Sequence, residues 1–114
     1  VGPAIVRTVE VTVGGKPQHN WKAVEQAMGI PSLPYFQSTL DGNVLSPGEK
    51  VDWIRFKDDA DYAAFMGAAE RMGLVARTCY CSTLDECWVT QFLVFGRTAV
   101  RSCPALPESK RFDD

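Results

Sequence analysis

A chain of 114 residues that is 46% hydrophobic and 23% charged is long enough to bury one core and too apolar for a disordered tail. Its formal charge of −2 argues against an electrostatic nucleic-acid binder, and no apolar run reaches the roughly 18 residues of a membrane span. Charge is uneven: residues 41–70 hold seven acids against three bases, whereas from Arg97 onward four bases (Arg97, Arg101, Lys110, Arg111) meet three acids, a patch read as solvated surface.

AIVRTVEVTV (4–13) alternates and is rich in Val and Ile, which predicts a strand ended by Gly14-Gly15. HNWKAVEQAMG follows, with Asn20 as N-cap, Trp21, Val24 and Met28 on one stripe, and Gly29 with Pro31 as the stop; this is a short helix. YFQSTL-DG-NVL has the Asp-Gly dipeptide of a tight hairpin, with an ordered loop as the alternative. VDWIRFK (51–57) alternates as a strand. DDADYAAFMGAAERMG (58–73) predicts a helix capped by Asp58, carrying a buried stripe of Tyr62, Phe65, Met66, Ala69 and Met72 and ending at Gly73. LVARTCYC and CWVTQFLVF then form two strands around the loop STLDE, and an irregular tail runs from about 98 to 114.

This order predicts a single α+β domain over residues 1–114: one mostly antiparallel sheet with two helices on one face, in the element order of a ferredoxin-like sandwich. Element order does not specify function.

Counting outward from STLDE pairs Cys81 with Cys87, Cys79 with Val89 and Arg77 with Gln91 on one face. Tyr80 with Trp88, Thr78 with Thr90, Ala76 with Phe92 and Leu74 with Val94 share the other, the better candidate to cover the helix. Four cysteines, three of them within TCYCSTLDECW, admit several readings. The first is that they are buried free thiols packing as small hydrophobes. A cross-strand disulfide Cys81–Cys87, with or without Cys79–Cys103, comes next, because opposed Cβ atoms already stand close to disulfide distance. A metal site ranks below it, since C-x-C on a strand departs from the C-x2–4-C knuckles of structural zinc, and a catalytic thiol ranks last for want of a histidine nearby. No cofactor or metal is expected.

The sole histidine, His19, precedes the helix cap and is read as exposed. The acids Asp58, Asp59 and Asp61 suit the helix dipole. Trp53 and Arg55, placed by alternation on the face opposite Ile54 and Phe56, are expected to share an outer sheet face with Arg77 and Gln91. Trp with Arg is a composition enriched at interface hot spots. The leading expectation is therefore a non-enzymatic domain that binds another protein through Trp53, Arg55, Arg77 and Gln91, as an inhibitor, immunity-type or regulatory factor. An open sheet face also suits a homodimer. The alternatives are a secreted, disulfide-containing effector or toxin-like protein, and a small enzyme or ligand-binding domain using Cys79 or His19. Val1 in place of Met fits a removed leading segment, a fragment or a cloning remnant, so a cytoplasmic and a secreted location both stand.

Overall fold

The structure, a computed structural model, describes residues 3–30, 35–37, 44–45, 54–91 and 96–113. In chain order the elements are β1 (Ala4–Val13), β2 (Lys16–Gln18), α1 (Trp21–Met28), β3 (Tyr35–Gln37), β4 (Val44–Leu45), β5 (Ile54–Phe56), α2 (Asp59–Met72), β6 (Leu74–Ser82), β7 (Cys87–Gln91), β8 (Thr98–Val100) and a 3-10 turn at Glu108–Lys110. The large sheet runs β2-β1-β6-β7-β8, every neighbouring pair antiparallel, and β4 also pairs with β1.

β1 is the strand its alternation predicts, and Gly14-Gly15 does more than end it. Both glycines have positive φ, 57° and 83°, the conformation a two-residue type I′ hairpin demands. The chain therefore turns back at once, and Val13 pairs with Lys16. Pro17 gave no strand signal, yet it is tolerated because β2 lies at the sheet edge.

Within β1 the pairing with β6 slips between Val6 and Thr8, leaving Arg7 as a bulged residue. Strict alternation would send Val6 and Val9, three positions apart, to opposite faces. The bulge resets the phase, so both are buried with Val11 and Val13 on the face covered by the helices.

α1 begins where Asn20 Oδ1 accepts the Ala23 N–H at 2.8 Å and stops at Gly29, whose φ of 71° is left-handed. Trp21, Val24 and Met28 are buried as the stripe predicts. In α2 the buried residues are Phe65, Ala68 and Ala69. The expected stripe is displaced at both ends: Tyr62 is 56% and Met72 42% exposed. The small Ala68 and Ala69 make the close contact with the core, which leaves the two larger side chains on the flanks. Asp58 holds the cap position without a side-chain cap bond.

Two expectations about strands are corrected. Tyr35–Gln37 and Val44–Leu45 do not form a hairpin with each other; the first pairs with β5 and the second with β1. The Asp-Gly dipeptide lies outside the described residues. β5 likewise does not join the large sheet. With β3 it makes a separate two-stranded ribbon. Ile54, Phe56 and Tyr35 of this ribbon pack against the core, with Phe56 and Phe65 ring centroids 5.0 Å apart. The α+β class stands, with a five-strand antiparallel path and two helices; the strand before α2, which a ferredoxin-like sandwich would place beside β1, lies outside that sheet.

Residues 98–113, expected as an irregular tail, carry a strand and a 3-10 turn. β8 adds an edge strand to β7. Beyond it the chain crosses the face opposite the helices, bonded through Cys103 to Cys79 of β6, and reaches the far edge at β1. There the Phe112 N–H donates to the Val9 carbonyl and the Asp113 N–H to the His19 carbonyl, at 3.3 and 2.6 Å. The Phe112 ring enters the helix-side core, fully buried and edge-on to Trp21 at 5.1 Å between centroids. Residues 101–113 thus form a strap fastened at both sides of the sheet.

Candidate functional site

The β6–β7 hairpin has the register counted from its loop: Cys81 opposite Cys87, Tyr80 opposite Trp88, Cys79 opposite Val89, Thr78 opposite Thr90, Arg77 opposite Gln91. Residues 92–95 lie outside the described set, so the pairings assigned to Phe92 and Val94 are not among those seen. Ser82 fixes the loop. Its hydroxyl accepts from the N–H groups of Leu84 and Glu86, and Asp85 takes the left-handed conformation at φ 61°.

On one face of this hairpin the four cysteines meet. Cys81 is bonded to Cys87 with Cα atoms 4.1 Å apart, and Cys79 to Cys103 at 5.7 Å. Both disulfides form, which corrects the first-ranked reading of free buried thiols; no cysteine is left free. The physical reason is the strap, which brings Cys103 across the sheet onto Cys79. The two bridges touch, with Cys81 Sγ 3.6 Å from Cys103 Sγ. Cys79, Cys81 and Cys87 are each about 5% exposed. In the chain-entropy account of ring closure, sequence separations of 24 and 6 contribute about 3.5 and about 2.4 kcal/mol.

Between strap and sheet lies a cavity of about 430 Å³ walled by Cys81, Cys87 and Cys103 and by Val9, Pro104 and Leu106. Arg7 reaches it because the bulge turns that residue out of the ladder, and Arg101 and Arg111 reach it from the strap. Among the described residues Asp85 is the only carboxylate in the lining. Among the described residues none of the three guanidinium groups has a carboxylate partner. His19 takes no part in this lining. Its Nδ1–H donates to the Arg111 carbonyl at 3.1 Å, which places a proton on Nδ1 and holds the strap to the start of α1.

The opposite face of the hairpin carries a second cluster. Tyr80 and Trp88 lie side by side with centroids 5.7 Å apart, and the Arg97 guanidinium sits 4.4 Å over the Trp88 ring. Arg97 also donates to the Tyr80 hydroxyl at 3.5 Å. Tyr80 and Trp88 are half-buried and stand apart from the core cluster, beyond the reach of the helices.

Of the four residues expected to form one outer surface, Arg77 and Gln91 are brought together and Arg55 is not. Arg77 and Gln91 are cross-strand neighbours on the cysteine face, with Arg77 Nε–H donating to Gln91 Oε1 at 3.4 Å. Arg55 is exposed on the separate ribbon, whose other face packs into the helix-side core. Trp53 lies outside the described residues. The grouping assumed a single sheet, and the β3–β5 pairing removes that premise.

No protein family, curated protein or solved structure matches the chain. The site therefore rests on its own geometry. Sequence reasoning missed Arg7, Arg97, Arg101 and Arg111 as site residues. The signal for Arg7 was present in β1: Val9, Val11 and Val13 alternate, while Val6 is out of phase with them. The signal for the strap was weaker, a lone Phe112 and a lone Cys103 in a polar, proline-punctuated tail.

Proposed function

We propose that this chain is a disulfide-braced binding domain without chemistry of its own, which engages another protein through Tyr80, Trp88 and Arg97 as an inhibitor, immunity-type or regulatory factor. The observation that carries this reading is the Arg97 guanidinium stacked 4.4 Å over Trp88 while bonded to the Tyr80 hydroxyl. Trp, Tyr and Arg are the residue types most enriched at interface hot spots. Here the three hold one another in place before any partner arrives, so little side-chain freedom is left to lose on binding. The two disulfides favour an oxidising compartment, in keeping with a secreted effector.

The test is quantitative capture of partners from the source organism's extract or medium by oxidised protein. Trp88→Ala and Arg97→Ala are each expected to weaken capture by about 30-fold, the scale of a 2 kcal/mol hot spot. Arg77→Ala, on the other face, should leave it unchanged. Equal capture by all four proteins refutes the surface.

A second reading is favoured by the cavity under the strap: a small ligand-binding domain for an organic anion. Its support is three guanidinium groups against one carboxylate around about 430 Å³. Calorimetric titration with di- and tricarboxylates, with Arg7→Ala and Arg101→Ala as controls, separates it from the first.

A further inference from the structure

Three sulfurs from three segments, those of Cys81, Cys87 and Cys103, meet in a space the size of a metal's coordination sphere, and a fourth is bonded to one of them. The Sγ atoms of Cys81, Cys87 and Cys103 all lie within 4.8 Å of one another, and Cys79 Sγ is bonded to Cys103. A tetrahedral zinc tetrathiolate with Zn–S of about 2.3 Å places its sulfurs on edges of about 3.8 Å. The Cys81–Cys103 contact, 3.6 Å without a covalent bond, already has close to that length. The two bonded pairs must open, and the Cys79 side chain must turn towards Cys81 and Cys87 to supply the fourth ligand.

We propose that, when reduced, the same four cysteines bind one zinc ion as a closed tetrathiolate site, so that disulfides fasten the strap under oxidising conditions and zinc fastens it under reducing ones. This inference does not depend on the protein-binding reading.

The backbone positions of the four residues are held by bonds other than sulfur. The β6–β7 ladder fixes Cys79, Cys81 and Cys87 on one face, and the Ser82 loop closes the hairpin. Phe112 and Asp113 dock the strap that carries Cys103. Reduction therefore leaves the thiols of Cys81, Cys87 and Cys103 converging on one point, with Cys79 beside them on the same face of β6. The C-x-C spacing, which differs from a zinc knuckle, is supplemented by a cross-strand neighbour and by the strap, so the ligands surround the centre from three directions.

Charge supplies a second, independent observation. The paired disulfides are neutral, yet Arg7, Arg101 and Arg111 line the cavity beside them with only Asp85 in opposition among the described residues. A zinc ion with four thiolates carries a net charge of −2, which these guanidinium groups offset. The same cavity provides a path to the site. With all four ligands from protein the ion has no open position, so the site would be structural.

Each disulfide takes two electrons and two protons from a dithiol reductant, which is oxidised to its own disulfide. The four thiols then release four protons as four thiolates coordinate Zn²⁺.

The experiment uses the full chain reduced by a dithiol without oxygen, freed of reductant, and titrated with Co²⁺ and then Zn²⁺. Far-UV circular dichroism follows the fold, and native mass spectrometry counts metal and disulfides. The expected result is one metal per folded chain, with the visible bands of tetrahedral tetrathiolate cobalt displaced by one equivalent of zinc, and no uptake by oxidised protein. Each single Cys→Ser variant should lose more than the about 10–100-fold that even an outer-shell change costs. Arg7→Ala with Arg101→Ala should weaken binding while both disulfides still form in the oxidised chain. The proposal is overturned by a folded reduced chain that takes up no metal, by full affinity in Cys81→Ser, by more than one metal per chain, or by a reduced chain that unfolds and that zinc does not refold.

Discussion

Replacing Phe112 with alanine isolates the contribution of the strap's far anchor. The ring is fully buried, meets Trp21 edge-on at 5.1 Å, and belongs to the same core cluster as Val9 and Phe65. Loss of a buried Phe costs about 3–5 kcal/mol in transfer and cavity terms, and the aromatic pair accounts for about 0.5–1.5 of that. One feature caps the loss. Phe112 lies beyond Cys103, so the segment after the disulfide can lift as a unit instead of leaving a cavity. Lifting forfeits the ring's burial and the two backbone hydrogen bonds to Val9 and His19, each contributing about 1 kcal/mol, while the solvent-exposed bond from His19 Nδ1–H to the Arg111 carbonyl adds little. The expected destabilisation is therefore about 3–4 kcal/mol, a large share of the 5–15 kcal/mol typical of a domain. Urea melts of oxidised protein followed by circular dichroism measure it, and amide exchange at Phe112 and Asp113 should accelerate in parallel. A loss below about 1 kcal/mol, the scale of surface substitutions, with unchanged exchange would show that the strap does not depend on this ring.

Trp88→Ala should cost about 1–2 kcal/mol, below the range for a fully buried aromatic, because Trp88 is half-buried and outside the core; a loss above 3 kcal/mol in the same melts would place it inside. Deleting Arg7 removes the bulge and turns either Val6 or the Val9–Val13 set towards the cysteine face, so at least one buried valine, about 1.5–3 kcal/mol, should be lost. Arg7→Ala should stay within about 0.5 kcal/mol, and equal urea midpoints for the two variants would contradict the assigned register. Burial, with the Glu25 carboxylate adding to it, raises the Tyr35 phenol above its ordinary 10.0. The folded state therefore keeps the phenolic proton to higher pH than the unfolded chain. This stabilising contribution is complete below about pH 10 and is lost as pH rises through the folded value. Tyr35→Phe should flatten the alkaline limb of a stability–pH profile, and an unchanged limb would exclude the group.

What the sequence made legible was local. β1, α1 and the span of α2 follow from alternation, a capping Asn20 and left-handed glycines, signals that act over a few residues. The β6–β7 register was also legible, because the short loop fixes one pair and the period of two fixes the rest. What failed was non-local. Alternation in 54–56 marks a strand but does not name its partner, so β5 was placed in the wrong sheet, and Arg55 was grouped with Arg77 and Gln91 on that error. The strap has no periodicity at all. Its course is set by one disulfide and one aromatic ring, contacts made with residues more than twenty positions away in the sequence.

The outer side of β1 is served in pieces: Val44–Leu45 pair with Ala4 and Ile5, Phe112 bonds to Val9, and Lys16–Gln18 pair with Val11–Val13. A ten-residue strand rich in Val would otherwise present a continuous template for aggregation. Three short partners from three parts of the chain leave no unbroken run of free amides and carbonyls along it. At the opposite edge β8 offers only three residues. Among the described residues, then, each edge of the sheet is too fragmented or too short to recruit another copy strand by strand, and the chain's Val-rich centre stays shielded from fibre-like growth.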